Sequence, residues 1–300
     1  MTRINLDQMT AFLSVVRLGS IGKTARMLSL TQPAVTARIK NLEEVMSKTL
    51  FDRTSGGLKL TKDGELLLKY AERFEQLSDL VERDIVDPGA IEGYLRIGAS
   101  ETVTQCWLPD FVTRLHRTFP RLEVELNVDI SVNLRAALLN RQIDLAFLLG
   151  PISEYTVDNS DLPPFELAWY AAADIVDTTD DPATLLHMPI MTYARQTRPY
   201  RELKAKLFER VGPGIKLFPS FSLSACLRLV EAGIGVAALP TALCAPSVTA
   251  GRIRRFDPGW APDPLQFTAS YLGDPKSQMI ETAADIAVQV ATEFDAHRNK

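Results

Sequence analysis

Gln32, Thr36 and Lys40 follow one another at intervals of four, so on a helix they share one face, with Arg38 on its flank. An amide and a hydroxyl near a helix start, with cations further on, can hydrogen-bond base edges and then phosphates in a groove. A second set lies far along the chain. Ser100, Thr102, Ser131, Arg195 and Ser222, with Phe221 beside the last, each follow a short apolar run. Hydroxyls, free backbone N–H groups and two arginines, Arg195 and Arg198, at strand ends suit a carboxylate or another small anion, and Phe221 could cover an apolar part of it. Each of these hydroxyls would also serve as an ordinary helix cap. Glu101 stands against an anion unless turned away, and could instead meet the amine of a zwitterion.

Other chemistry finds no foothold. His116, His187 and His297 lack the spacing of a zinc site. Cys106, Cys226 and Cys244 form no Cys-x-x-Cys motif. There is no Gly-x-Ser-x-Gly elbow and no acid pair placed for hydrolysis. Gly233-Ile234-Gly235 follows a helical stretch and precedes a strand, the reverse of the order a dinucleotide loop requires. No catalytic residue, metal or cofactor is expected.

The chain that must position these groups has 300 residues, enough for about two domains. With 46% hydrophobic and 23% charged residues it is globular, neither disordered nor fibrous. No apolar run approaches the roughly 20 residues of a bilayer span, and Met1 to Asp7 has no signal-like apolar segment, so a cytoplasmic protein is expected. The net charge is −4, but residues 1–62 hold ten Lys/Arg against four acids. A head of +6 on a body of −10 suggests a polyanion-binding module joined to something else, or a chance cluster on a solvated face.

The head reads as three helices and a hairpin. Leu6, Met9, Phe12, Leu13 and Val16 form one stripe, ended by Gly19. Ser20 can cap a second helix bearing Ile21, Ala25 and Leu28, and Thr31 can cap a third with Pro33 in its first turn. Val35, Ile39, Leu42 and Met46 bury one side of that third helix, which leaves Gln32, Thr36, Arg38 and Lys40 on the other. Pro33 would permit close apolar approach, for example to a thymine methyl. Leu50 to Arg53 and Leu58 to Thr61 flank a Gly-Gly turn, a hairpin whose Arg53 and Lys59 would meet the DNA backbone or minor groove. A hairpin beside such helices is a wing.

Gly19-Ser20, Ala25, Leu28, Thr31-Gln-Pro-Ala-Val-Thr36, Ile39, Leu42-Glu43, Leu50-Phe51, Arg53, Leu60-Thr61 and Gly64 fall at the spacings of the LysR-type transcriptional regulators, and the head resembles theirs. Thr31 and Thr36 replace the usual serines, Lys23 stands where alanine is common, and Met46-Ser47-Lys48 replaces the usual Leu-Gly, which suggests a different exit from the third helix.

Beyond Thr61 the residues Leu67, Tyr70, Phe74, Leu77 and Val81 alternate three and four apart. That is a seam of about two heptads, serving a dimer or packing on its own domain, and Asp87-Pro88-Gly89 stops it. Two-fold symmetry would double the DNA site, and the resemblance implies that this helix dimerises.

From Tyr94 strands and helices alternate. The pattern predicts strands at Tyr94–Gly98, Leu122–Val128 and Ile143–Leu149, with one helix from Thr102 to Phe119 and another over Leu134–Leu139, a β-α-β-α-β order that implies a parallel sheet. Pro163-Pro164 marks a boundary. Strands near 189–193, 215–218 and 236–239 and helices over 199–211 and 222–232 form a second unit, and 265–272 and 280–294 return. The resemblance implies that the returning segments rejoin the first unit, giving two lobes like a periplasmic binding protein.

The expected fold is therefore α/β: an N-terminal winged helix-turn-helix (1–61), a linker and dimerisation helix (62–88), and a two-lobed effector domain (93–300). The first lobe would span about 93–161 and 268–300, the second about 162–267. Ligands of open α/β sheets sit at strand carboxyl ends, which groups Ser100, Thr102, Ser131, Arg195, Phe221 and Ser222 as effector contacts. Ser20, Thr31, Gln32, Pro33, Thr36, Arg38, Lys40, Arg53 and Lys59 group as DNA contacts. The functional expectation is a regulator that binds promoter DNA as a homodimer or homotetramer under control of an anionic or zwitterionic effector. RNA polymerase is a further partner, and no membrane is. The alternatives are a redox sensor using Cys226 and Cys244, a cytoplasmic small-molecule-binding protein, and an α/β enzyme.

Overall fold

Asn5 opens the first helix, α1 (Leu6–Leu18), with a capping box. The Asn5 side chain accepts from the Asp7 N–H at 2.8 Å, and the Gln8 side chain accepts from the Asn5 N–H at 3.1 Å. Gly19, at φ 62°, ends α1 in the left-handed conformation that glycine adopts without strain. Ser20 caps α2 (Ile21–Met27), and Thr31 caps α3 (Gln32–Met46). Phe12 and Leu13 of α1, Ala25 of α2 and Val35, Ile39 and Leu42 of α3 bury against one another. Burying each of the larger ones fully contributes about 1.5–3 kcal/mol.

A two-stranded wing follows, β1 (Phe51–Thr54) antiparallel to β2 (Gly57–Leu60), with Phe51 opposite Leu60. Glu43 anchors it: one carboxylate oxygen accepts from the Leu50 N–H at 2.7 Å and the Phe51 N–H at 3.4 Å. The exit from α3 differs from expectation. Ser47 takes the left-handed conformation itself (φ 50°, ψ 39°), and the Lys48 N–H closes the turn on the Glu43 carbonyl. The turn geometry is the one glycine would give, held by a residue with a Cβ.

Thr61 accepts from the Gly64 N–H at 3.0 Å and donates to the Thr49 carbonyl at 2.7 Å, opening α4 (Lys62–Val81). A Cβ at Gly64 would collide with the Leu50 carbonyl oxygen, so glycine is required where this helix crosses the wing. The structure, a computed structural model, describes residues 4–54, 57–81, 93–274 and 277–298, and the expected helix stop at Asp87-Pro88-Gly89 lies outside them. Met1–Gly89 and Ala90–Lys300 form separate compact units.

The second unit holds two five-stranded sheets. The first contains β3 (Gly93–Ala99), β4 (Leu122–Val128), β5 (Leu145–Leu149), β6 (Val157–Asp161) and the returning β12 (Phe267–Leu272), in the order β4-β3-β5-β12-β6. Here β3 is parallel to β4 and β5, whereas β12 is antiparallel to β5 and β6. The second sheet contains β7 (Leu167–Ala172), β8 (Ile190–Thr192), β9 (Leu217–Pro219), β10 (Val236–Pro240) and β11 (Ile253–Phe256), in the order β11-β7-β10-β8-β9. The parallel core is thus as expected, and the antiparallel strands make both sheets mixed.

Three features depart from the periodicity reading. The long helix expected over 102–119 is two, α5 (Glu101–Cys106) and α6 (Leu108–Thr118). Pro109 starts the second, and Trp107 between them is buried edge-on to Phe111 and Phe147. The helix after β4 begins earlier than expected, as α7 (Ser131–Leu139). Strands β6, β7 and β11 and the helix α11 (Thr241–Thr249) escape the pattern; β6 is a polar edge strand and α11 carries Pro246. The remaining helices are α8 (Ala173–Asp177), α9 (Arg198–Val211), α10 (Leu223–Glu231) and α12 (Gln278–Arg298).

Candidate functional site

The polar face of α3 stands in solvent. Thr31, Gln32, Pro33, Thr36 and Lys40 are exposed. The Thr31 hydroxyl accepts from the Ala34 N–H at 3.3 Å, and the Thr36 hydroxyl donates to the Gln32 carbonyl at 2.9 Å. Thr36 therefore keeps its lone pairs for an incoming donor. The Gln32 amide lies over Gly22 of α2, where a Cβ would stand 3.1 Å from its nitrogen. Arg38 is half-buried and bonded to Asp7 at 2.9 Å, so this cation is partly neutralised. Lys40 pairs with Glu44 at 3.6 Å, a solvated contact worth little. Ser20 is half-buried at the start of α2, and Lys59 is exposed on the wing opposite Asp52. The Arg53 side chain lies outside the described part of the structure.

On α4 the five expected seam residues do not share one environment. Leu67 is 6% exposed and belongs, with Ala71, to the core of the head. The exposed apolar row is Leu66, Tyr70, Phe74 and Leu77. Leu67 thus leaves the seam and Leu66 joins it, while the Val81 side chain lies outside the described part. The run Leu66-Leu67-Leu68 hides this phase from the sequence.

Between the two sheets lies a cavity of about 380 Å³, within the range that holds small organic ligands. Ser100, Glu101 and Thr102 reach it from the end of β3, Asp129 and Ser131 from the end of β4, and Ser220, Phe221 and Ser222 from the end of β9. The parallel strands of both sheets therefore present their carboxyl ends to one space. Of the expected effector residues, Ser100, Thr102, Ser131, Phe221 and Ser222 line this cavity together. Arg195 does not: it is exposed and absent from the lining. Thr197, two residues on, caps α9 and lines the cavity in its place, which leaves the guanidinium in water.

The hydroxyls differ in what they have left to offer. Ser131 accepts from the Leu149 N–H at 2.9 Å, which ties the end of β5 to the start of α7. Ser222 accepts from the Ala225 N–H at 3.1 Å and donates to Glu101 at 3.1 Å. Ser100 is only 8% exposed, and its hydroxyl has no hydrogen-bond partner among the described residues. A buried hydroxyl without a partner costs about 1–3 kcal/mol, so among the described residues Ser100 is the cavity hydroxyl with its full bonding capacity to offer. Glu101 is not turned away. Its carboxylate accepts from the Leu223 N–H at 2.5 Å and the Ser224 N–H at 3.1 Å, spanning from the start of α5 to the start of α10. Sequence reasoning named Glu101 without its partner, and passed over Asp129 although it follows a strand.

Residues 6–65 match the family described as "Bacterial regulatory helix-turn-helix protein, lysR family", and residues 88–291 match "LysR substrate binding domain". The chain belongs to the LysR family of transcriptional regulators. Among LysR-type relatives, the HTH-type transcriptional regulator YofA of Bacillus subtilis (strain 168) is 34% identical over 230 residues, 76% of this chain and 79% of YofA. Two full-length structures share the fold. One is a cysteine-to-aspartate variant of OxyR from Pseudomonas aeruginosa, with TM-score 0.66 and 19% identity over 96% of this chain and 95% of that one. The other is the Corynebacterium glutamicum LysR-type regulator LysG with bound effector Arg, with TM-score 0.64 and 20% identity over 96% and 98%. As a LysR-type regulator the chain is a DNA-binding protein with an effector-binding domain. Among the described residues no helix is long and apolar enough to cross a membrane.

Proposed function

We propose that this regulator binds an inverted repeat in promoter DNA through α3 and the wing, dimerises through α4, and is switched by a small molecule held between the two sheets. The observation that carries the reading is the buried, unpartnered Ser100 hydroxyl in a cavity built from strand ends. In this reading residues 1–61 bind DNA, 62–88 dimerise and 93–300 sense the effector, with dimers pairing into tetramers on the promoter. Such a protein works in the cytoplasm and acts on RNA polymerase through the DNA it holds. Ligand binding changes the angle between the lobes and so how the dimers pair and bend their site.

Gln32 and Thr36 are the base-reading groups, with Ser20, Thr31, Pro33, Arg38, Lys40, Arg53 and Lys59 placing the helix and wing on the backbone. The effector is small, with a polar head among Ser100, Thr102 and Ser222 and an apolar part under Phe221. Of the anionic and zwitterionic classes expected from the sequence, the zwitterionic one brings an amine to Glu101 and is the one this cavity favours. Salt-dependent binding to the chain's own upstream promoter fragment tests the reading. The expected result is preference over scrambled duplex, a steep salt slope, and a change in affinity or footprint with effector. Equal affinity for both duplexes at all salt concentrations would refute it.

The redox reading through Cys226 and Cys244 draws no support from their surroundings. Both are buried, and burial pushes the thiols up to about 11 and about 12, away from the reactive thiolate.

A further inference from the structure

The start of α10 has no donor left for a ligand. The Ser222 N–H is taken by the Ser220 hydroxyl, the Leu223 and Ser224 N–H groups by Glu101, and the Ala225 N–H by the Ser222 hydroxyl. A helix of nine residues would ordinarily offer those groups, with the positive end of its dipole, to an incoming anion. Here the chain supplies the anion itself, from the opposite side of the cavity and 122 positions earlier in sequence. Among the described residues, the charged ones that line the cavity are Glu101 and Asp129, with no lysine, arginine or histidine beside them. Neither carboxylate has an ion-pair partner among the described residues. The Asp129 carboxylate accepts only neutral donors, the Ile130 N–H at 2.7 Å and the Asn133 amide at 2.9 Å. Much of the remaining wall is apolar, with Val128, Ile130, Leu149, Phe221, Leu265 and Phe267.

We infer that Glu101 makes this cavity a site for a small organic ammonium ion with an apolar body, and excludes a free carboxylate that carries no amine. The inference rests on the reading of the cavity as the effector site. A carboxylate entering alone would place a third negative charge beside Glu101 and Asp129, with no cation among the described lining residues and the start of α10 already taken by Glu101. An ammonium finds two acceptors of opposite charge, and the Ser100 hydroxyl adds a third as a neutral acceptor. Because the Glu101 carboxylate also bridges the two sides of the cavity, ligand selection and lobe closure act on one side chain.

The test is thermal-shift binding on the full-length protein with matched probes: 3-methylbutylamine against 3-methylbutanoate, and phenethylamine against 3-phenylpropanoate. Amines are expected to raise Tm in a saturable way and the matched acids to leave it unchanged. Glu101→Gln keeps the shape and one of the two acceptor oxygens that meet α10 while removing the charge, and is expected to lower amine affinity at least tenfold. Asp129→Asn provides a second neutralisation that leaves the α10 contact intact, with the same direction expected. A Ser131→Phe substitution, which fills the cavity, is expected to abolish the shift. Acids binding as tightly as amines, or amines binding both neutralised variants as tightly as the wild type, overturns the inference while loss of the shift in Ser131→Phe still upholds the cavity as the site. A shift that survives Ser131→Phe instead overturns the reading of the cavity itself. No shift with any probe overturns the ammonium assignment.

Discussion

Gln32 is exposed at the start of α3 and its side chain makes no hydrogen bond among the described residues, so its amide is free to read a base edge. If it makes a bidentate contact, Gln32→Ala is expected to cost about 1–3 kcal/mol on the cognate site and much less on random duplex, as measured by competition binding. Equal losses on both would remove Gln32 from the base-reading set. Ser47 is a different case, a residue with a Cβ in the left-handed turn that closes α3. That conformation costs about 1–2 kcal/mol, part of which glycine gives back through its freer unfolded chain. Ser47→Gly is therefore expected to stabilise the protein by up to about 1 kcal/mol in urea unfolding. The two interior thiols, raised by burial to about 11 and about 12, stay protonated at neutral pH. Labelling of Cys226 and Cys244 by a thiol reagent should be slow in the native protein at about pH 8 and fast once it is unfolded. Rapid native labelling of both, followed by mass spectrometry, would revive the redox alternative.

Among the elements, the wing depends on a single carboxylate. Glu43 on α3 accepts from two N–H groups at the start of β1, so the wing and α3 are positioned as one piece. Glu43→Ala leaves those donors without their acceptor, at about 1–3 kcal/mol. The expected outcome is lower stability together with a shallower salt dependence of DNA binding, because Lys59 loses its place relative to α3. A fall in stability with an unchanged salt slope would mean that the wing carries no phosphate contact. Sequence periodicity placed α1, α2, α3 and the wing well, since caps such as Ser20 and Thr31 act within four residues. It failed over 102–119, where an unbroken apolar stripe conceals the break at Trp107. A local pattern gives the helical phase but not the corner that packing of a large ring against Phe111 and Phe147 demands.

At the scale of the molecule, Leu66, Tyr70, Phe74 and Leu77 form an exposed apolar row on α4, and the proposed dimer covers it with a second copy. Phe74→Glu is expected to shift the full-length protein toward monomer in sedimentation and to weaken DNA binding by at least tenfold, since each half-site then binds alone. Leu67→Glu, by contrast, should unfold the head, because that side chain is core. Unchanged sedimentation of the Phe74 variant would move the dimer contact off this row.

The sequence alone determined whatever depends on near neighbours: helix caps, the Gln-Pro-Ala-Val face, the paired strands of the wing, the basic head on an acidic body, and the order of strands that places hydroxyls at their ends. Those features act over a few residues, and composition and spacing record them directly. Only the tertiary structure decided which distant groups meet. It brought Glu101 to the backbone of Leu223, turned Arg195 outward, left Ser100 without a partner among the described residues and chose Leu66 over Leu67 for the surface. Each of those outcomes is set by how two sheets and their helices pack, and packing between remote segments leaves no local mark in the chain.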